Sequence, residues 1–177
     1  MSPAERSWHP VRGLSALPFA ALAAAILVLA LALRLHGLGA QSFWFDEILQ
    51  ARLIGKPVPW LLAQMPTDKP PLDYLIESFV VSRTAETEFW CRLPAMTWGV
   101  LTIAALGLWL RAAAGPREAL VAMLMLAVSP LHLRYSQEAR PYSLFMLTTT
   151  VSSAALWALT RRSVGAQHAA PLQGRGM

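Results

Sequence analysis

Residues 14–33 read LSALPFAALAAAILVLALAL, twenty consecutive residues without a charge. An α-helix needs about 20 apolar residues to cross the hydrocarbon core of a bilayer. A secretory signal peptide is the competing interpretation, because Arg6 and Arg12 precede this stretch. The stretch is longer than the roughly 7–15 apolar residues of a signal sequence. Arg34 follows it directly, and the pattern favours a retained membrane helix.

Three further uncharged stretches follow, at residues 93–110, 119–133 and 141–160. With a first span near residues 14–34, they predict about four crossings. The composition is 55% hydrophobic and 14% charged, whereas average soluble domains are roughly 45–50% apolar and about 25% charged. The predicted fold class is therefore an all-α integral membrane protein, with its membrane region at residues 14–162.

Basic residues indicate the orientation of this membrane region. They lie close to the spans within residues 1–13, in the turn at residues 111–117 and at residues 161–162. The positive-inside rule places these segments, and so the N-terminus, in the cytoplasm. We expect a multi-pass protein of the cell inner (plasma) membrane. Residues 163–177 have no hydrophobic periodicity and are predicted to be a disordered tail.

The formal net charge of +5 bears on the class of partner. In a soluble protein it could indicate nucleic-acid binding. Here the arginines are scattered among the apolar stretches and flank several of their ends, which is typical of membrane topology and contact with anionic lipid. Membrane lipid is the expected partner, and nucleic acid is not. The single Cys91 cannot form an internal disulfide.

The long segment at residues 36–92 is predicted to be an extracytoplasmic first loop. It contains seven acidic residues and is much longer than the usual connection of about 4–6 residues, and long loops are often functional. Apolar residues at helical spacing predict a short helix from Asp46 to Ile54, lying in the membrane interface. A second short helix is predicted from Pro70 to about Ser82, too charged to cross the membrane.

Within this loop, residues 42–50 read SFWFDEILQ and place Asp46 and Glu47 among aromatic residues. One interpretation is a helix cap, since both acids suit the positive end of a helix dipole. Capping does not exclude catalysis. In the catalytic interpretation one acid is a general base that removes a proton from an acceptor hydroxyl, and its neighbour orients the acceptor or a metal ion.

A second motif, TDKPPLDY at residues 67–74, contains Asp68 and Lys69. Its structural interpretation is a helix start, with Asp68 near the cap and prolines in the first turn. Its functional interpretation uses Lys69 as a cation for a phosphate group beside a positive helix end.

The third motif, RYSQEARPY at residues 134–142, places two arginines in a predicted outer turn. They could pair with the acids of the long loop. Alternatively, Arg140 grips a lipid phosphate at the headgroup boundary. His132 has only Glu138 as a nearby acid, and no Cys/His spacing resembles a zinc site, so no metal ligands are predicted. No cofactor is assigned, although a divalent cation is compatible with the acids.

The order of these motifs resembles the N-terminal part of the GT-C membrane glycosyltransferases, which include the protein O-mannosyltransferases and the lipid A aminoarabinose transferases. The resemblance covers about residues 14–162. It combines an apolar span with FWFDE, DKPPLDY, EFWCRLP and SPLHLRYSQEARPYSL, in that order.

The resemblance implies an inverting transfer of a sugar from a polyprenyl-phosphate donor to a lipid, protein or glycan acceptor outside the membrane. The acid of the family's first outer loop falls on Asp46, the presumed base, with Glu47 beside it. The family's Lys-Pro motif falls on Lys69, expected near the donor phosphate. Arg140, Asp68 and Glu138 complete the expected substrate-binding set.

The chain departs from this family in length, because its members usually have many more spans. We therefore expect a fragment or an early stop, whose donor pocket later helices would complete. The alternative function is a non-catalytic four-helix membrane protein, either a remnant or an accessory subunit. A transporter is less compatible with the pattern, because the mid-span positions lack the acids or arginines that ion coupling uses.

Overall fold

The computed structural model describes residues 18–65 and 69–169, with side chains described as far as residue 161. The described residues form eight α-helices and no strand. In chain order the helices are α1 (Phe19–Leu35), α2 (Phe45–Ala51), α3 (Val58–Gln64), α4 (Pro71–Val81), α5 (Glu88–Ala113), α6 (Pro116–Val128), α7 (Pro130–Tyr135) and α8 (Tyr142–Ala169).

Helix α5 is the centre of the bundle, because α1, α4, α6 and α8 all pack against it. A core between α1, α5 and α6 contains Ala30, Ile103, Met123 and Ala127. Gly107 of α5 lies so close to α6 that an added Cβ would overlap the Met123 side chain. The small residues therefore allow the two helices to approach closely, as is common in membrane bundles.

Within the described ranges, two helices, α5 and the Tyr142–Arg161 part of α8, are long and apolar enough to cross a membrane, and α1 is a shorter apolar helix. At 17 residues α1 is about 25 Å long, slightly less than the hydrocarbon thickness of about 30 Å. The prediction of an all-α membrane protein is confirmed. The count of four crossings stays a prediction.

The predicted third span at residues 119–133 is not one continuous helix. Helix α6 ends at Val128, and α7 begins at Pro130. Pro130 has no N–H to continue the ladder and restricts the residue before it. The Ser129 hydroxyl caps α7 by accepting a hydrogen bond from the His132 N–H at 3.5 Å.

Helix α7 is fixed to the C-terminal end of α1 by Arg34, which is fully buried. Its guanidinium donates to the carbonyls of Ala30 at 3.0 Å and Ala127 at 3.2 Å. A third contact joins it to His132 Nδ1 at 2.6 Å. These contacts hold the start of the residue 134–142 turn against the bundle.

The prediction of a disordered tail at residues 163–177 was wrong for residues 163–169, because α8 continues to Ala169. Helix formation propagates cooperatively once started, and the next proline in the sequence is Pro171. Residues 1–17 and 170–177 lie outside the described part of the chain, as does the predicted start of the first span.

The first loop contains the two predicted short helices, seen as α2 and α4, and an additional one, α3. Helix α3 follows Pro57 and has a proline within its first turn, a position where proline is well tolerated. A small apolar core joins the loop to α5 and to the residue 134–142 turn, and it contains Ile54, Leu61, Tyr74, Val81, Cys91 and Ala139. The loop is therefore a packed cap over one end of the bundle.

Candidate functional site

Glu47 lies in the first turn of α2 and joins three parts of the structure. Its side chain is fully buried and forms an ion pair with Arg92 of α5, with 2.7 Å between Oε2 and Nη2. Its Oε1 accepts a hydrogen bond from Arg92 Nε at 2.9 Å and another from the Ala139 N–H at 2.7 Å. The Trp44 N–H completes a capping box at 3.4 Å. Both carboxylate oxygens are therefore occupied.

Arg92 uses every one of its five N–H donors. Besides Glu47, it donates to the carbonyl oxygens of Leu38 at 3.0 Å, Gln41 at 2.8 Å and Ser42 at 3.4 Å. A guanidinium has five donors in a fixed planar arrangement, so this one side chain orders the connection from α1 to α2. No role for Arg92 was predicted from the sequence. A single charge near the start of an otherwise uncharged span was the available signal.

Asp46, the predicted base, precedes Glu47 in the chain, but its side chain contacts Arg140 and not Arg92. About 36% of its side chain is exposed, and Arg140 Nη2 lies 3.7 Å from Oδ2. Arg140 Nη1 also donates to the Asp46 carbonyl oxygen at 3.4 Å. The long loop and the residue 134–142 turn are thus brought together by a pairing of a loop acid with a turn arginine, one of the two alternatives that the sequence left open.

Arg140 is held much less firmly than Arg92. Its hydrogen bonds to the Asp46 carbonyl oxygen and the Tyr142 hydroxyl, at 3.4 and 3.5 Å, are at the long end of the range. Its contact with the Asp46 carboxylate, at 3.7 Å, is longer still. Its Nε is buried and has no hydrogen-bond partner among the described residues. The guanidinium also lies over the Tyr142 ring at 5.5 Å. It therefore keeps donor capacity for an anionic ligand, and a guanidinium matches phosphate geometry.

A second buried polar cluster joins α2 to α4. Gln50 Nε2 donates to Asp73 Oδ2 at 3.0 Å and to Glu77 Oε2 at 2.8 Å. Each of the three residues is about 1% exposed. Burial raises the pKa of Asp73, and burial followed by the charge of Asp73 raises the pKa of Glu77 well above its ordinary value. This cluster was not predicted from the sequence, although acids four residues apart share one helix face.

A cavity of about 550 Å³ opens between the first loop and the residue 134–142 turn. Glu47 and Arg92 contribute to its lining, and Asp46 does not. Its other lining residues include Gln41, Ser42, Trp44, Arg134, Gln137 and Glu138. Glu138 accepts a hydrogen bond from Arg134 Nε at 2.9 Å. Pockets of this size with an aromatic and a few polar groups are typical small-molecule sites.

The remaining predicted residues lie at the start of α4. Lys69 is half-buried, immediately before Pro70, the N-cap residue of α4. Asp68 lies outside the described residues. Within the described ranges, no three His, Cys, Asp or Glu side chains are grouped so that they could hold a metal ion.

Residues 68–162 match the model of a family described as dolichyl-phosphate-mannose-protein mannosyltransferase. The match covers more than half of the chain. The chain belongs to this family. No curated protein and no solved structure matches it. Membership in the dolichyl-phosphate-mannose-protein mannosyltransferase family confirms the GT-C resemblance and supports a membrane glycosyltransferase.

The family match includes some candidate residues and excludes others. Lys69, Arg92 and Arg140 lie within it, whereas Asp46 and Glu47 precede it. The family match therefore does not bear on the two acids, and their own contacts are the observations that indicate their roles.

Proposed function

We propose that this chain contributes the acceptor-activating and phosphate-binding side of a membrane glycosyltransferase site on the extracytoplasmic face. The donor is a polyprenyl-phosphate sugar, with mannose as the first candidate from the family description. The N-terminus is cytoplasmic, and the protein lies in the inner (plasma) membrane. The observation that carries this proposal is the pairing of a partly exposed carboxylate, Asp46, with a loosely held guanidinium, Arg140.

Asp46 acts as the general base of the transfer. A base must reach the acceptor proton directly or through one water, and the partial exposure of the Asp46 side chain supports this role. When the guanidinium of Arg140 turns to the donor phosphate, Asp46 loses its counter-ion. Its oxygens are then free to accept the proton of an acceptor hydroxyl.

Arg140 and Lys69 stabilise the departing phosphate. The acceptor oxygen attacks the anomeric carbon, the bond from that carbon to the phosphate oxygen breaks, and the acceptor proton passes to Asp46. Attack opposite the leaving group inverts the anomeric centre. Negative charge grows on the lipid phosphate, where preorganised cations have their largest effect on the rate.

Glu47 acts as a positioning residue rather than as a second base. Its oxygens are occupied by Arg92 and by the Ala139 N–H, and none of its surface is exposed. Because Asp46 is the preceding residue, the Glu47 contacts fix the backbone from which Asp46 projects. A rigid supporting shell of this kind keeps a reacting group in its productive geometry.

Replacing Asp46 tests the proposal directly. We expect Asp46→Asn in proteoliposomes to lower mannose transfer from a radiolabelled polyprenyl-phosphate mannose at least about 100-fold, the usual contribution of general base catalysis. Glu86→Gln changes an exposed acid of the same loop and should transfer at the wild-type rate. Turnover of the Asp46→Asn variant close to wild type would end the assignment of Asp46.

A non-catalytic role is favoured by one observation. In the described part of the chain, acids of both outer segments are already paired with arginines, Glu47 with Arg92 within the loop, Glu138 with Arg134 within the turn, and Asp46 with Arg140 between the two. Purely structural pairs would bind no donor. Photo-crosslinking of the wild-type chain with a polyprenyl-phosphate probe separates the two functions, because labelling near Arg140 is expected only of the transferase.

A further inference from the structure

The cluster of Gln50, Asp73 and Glu77 contains two carboxyl groups around one amide nitrogen. Since Gln50 Nε2 lies 3.0 Å from one carboxyl oxygen and 2.8 Å from the other, those oxygens are less than about 6 Å apart, a separation at which like charges disfavour each other's ionisation. Within the described part of the chain, neither carboxyl forms an ion pair. Two full negative charges in this buried position would be costly.

Among the described residues, the surroundings of Glu77 supply one positive charge, that of Arg140. The titratable or charged groups that act on it are Glu47 from α2, Asp73 from α4, Cys91 from α5 and Arg140 from the turn before α8. Arg140 already lies closer to Asp46. Glu77 Oε1 and Gln50 Oε1 are buried and have no partner among the described residues. One proton on the carboxyl pair leaves a single negative charge there, in place of two that the one guanidinium would have to balance.

We propose that Gln50, Asp73 and Glu77 form a proton-holding bridge that fixes α2 to α4. Asp46 lies one helical turn before Gln50 on α2, and Lys69 lies just before the start of α4. The bridge therefore sets the position of the Asp46 helix relative to the segment that carries Lys69. The three residues are positioning residues. Their effect on Asp46 and Lys69 rests on the proposed transferase function, whereas the bridge itself does not.

The bridge predicts how stability changes with pH. Because the pKa of Glu77 is raised in the folded protein, the folded state binds more protons than the unfolded state above the ordinary glutamate pKa of about 4.3. The stability contribution of the bridge is fully present below that value. It is lost as the pH rises through the raised pKa of the folded state.

The test compares the thermal unfolding of the full chain in detergent between about pH 5 and about pH 9. The wild-type Tm should fall across this range. Glu77→Gln, which mimics the protonated carboxyl, should match the wild type at the acidic end and exceed it by at least about 3 °C at the alkaline end. Glu86→Gln, an exposed acid of the same loop, should keep the wild-type profile.

Two results would overturn the bridge: a wild-type Tm that does not depend on pH, or a Glu77→Gln variant that is less stable than wild type at every pH. If Glu77→Gln does not fold, Asp73→Asn neutralises the other carboxyl and should flatten the profile in the same way. Failure of both variants to fold would also contradict a shared proton. Each variant replaces one carboxyl by a neutral amide of the same shape, which the protonated pair should tolerate.

The positioning step has a separate readout. In an active preparation, the wild-type kcat should decrease over the same pH range as its Tm, with little change in the donor KM. Glu77→Gln should remove that decrease. If Glu77→Gln flattens the Tm profile but its kcat still decreases with pH as in the wild type, the bridge stabilises the fold and does not position the Asp46 helix. If no variant transfers sugar, the Tm profiles still test the bridge, so its failure is distinct from failure of the proposed function.

Discussion

Arg92 and Arg140 show how two arginines in one small region can have opposite roles. Arg92 is buried, and its five donors are all used within 3.4 Å. Arg140 makes only long contacts and has an unpartnered Nε. A guanidinium with saturated donors stabilises the fold, whereas one with spare donors can bind a phosphate.

Removing the Arg92 side chain should destabilise the protein strongly. Arg92→Met leaves the Glu47 carboxylate buried without its counter-ion, which typically costs about 3–5 kcal/mol in the free energy of unfolding. Denaturant unfolding in detergent measures this change. Arg83→Met, at an exposed arginine of the same loop, should stay within about 0.5 kcal/mol. An Arg92→Met variant as stable as this control would show that the pair is not structural.

Among the elements, the close contact of α5 with α7 depends on Gly99. A Cβ at this position would overlap the Ser136 side chain and lie 3.3 Å from Arg34 Nε. Ser136 is fully buried, and its hydroxyl donates to the His132 carbonyl at 2.6 Å. The Ser136 side chain therefore has little freedom to move away from an added methyl group.

Gly99→Ala should lower the free energy of unfolding by about 1–3 kcal/mol, the usual cost of overpacking a core. Gly107→Ala is the matched control on the same helix. There the added Cβ meets the flexible Met123 thioether, which adapts easily, so the loss should be smaller. Denaturant unfolding of both variants compares them, and a larger loss for Gly107→Ala would contradict the packing of α7 on α5.

The helices could be predicted from the sequence where local signals were strong. Helix α2 was predicted from apolar residues at helical spacing, and α4 from the two prolines that mark its start. Helix α3 was missed, although Pro57 and Pro59 carry the same kind of signal. The break at Ser129 was missed because the absence of charge gives the length of an apolar stretch but does not show whether the stretch forms one helix or two.

At the scale of the whole molecule, counting crossings placed the first loop and the residue 134–142 turn on one side, and the structure brings them into contact. Which acid meets which arginine could not be predicted. The Glu47–Arg92 and Asp46–Arg140 contacts join residues 45 and 94 positions apart, so they depend on how the helices pack. The buried Gln50 cluster depends on that packing in the same way.

The most direct test of the account is cross-linking in intact membranes. In a Cys91→Ser background, the pair D46C/R140C should be joined by a short, membrane-impermeant bifunctional reagent added from outside. The pair E118C/R140C should not be joined, since Glu118 follows the turn predicted to be cytoplasmic. If positions 46 and 140 are instead labelled from opposite sides, the acids and arginines share no site and the central claim is wrong.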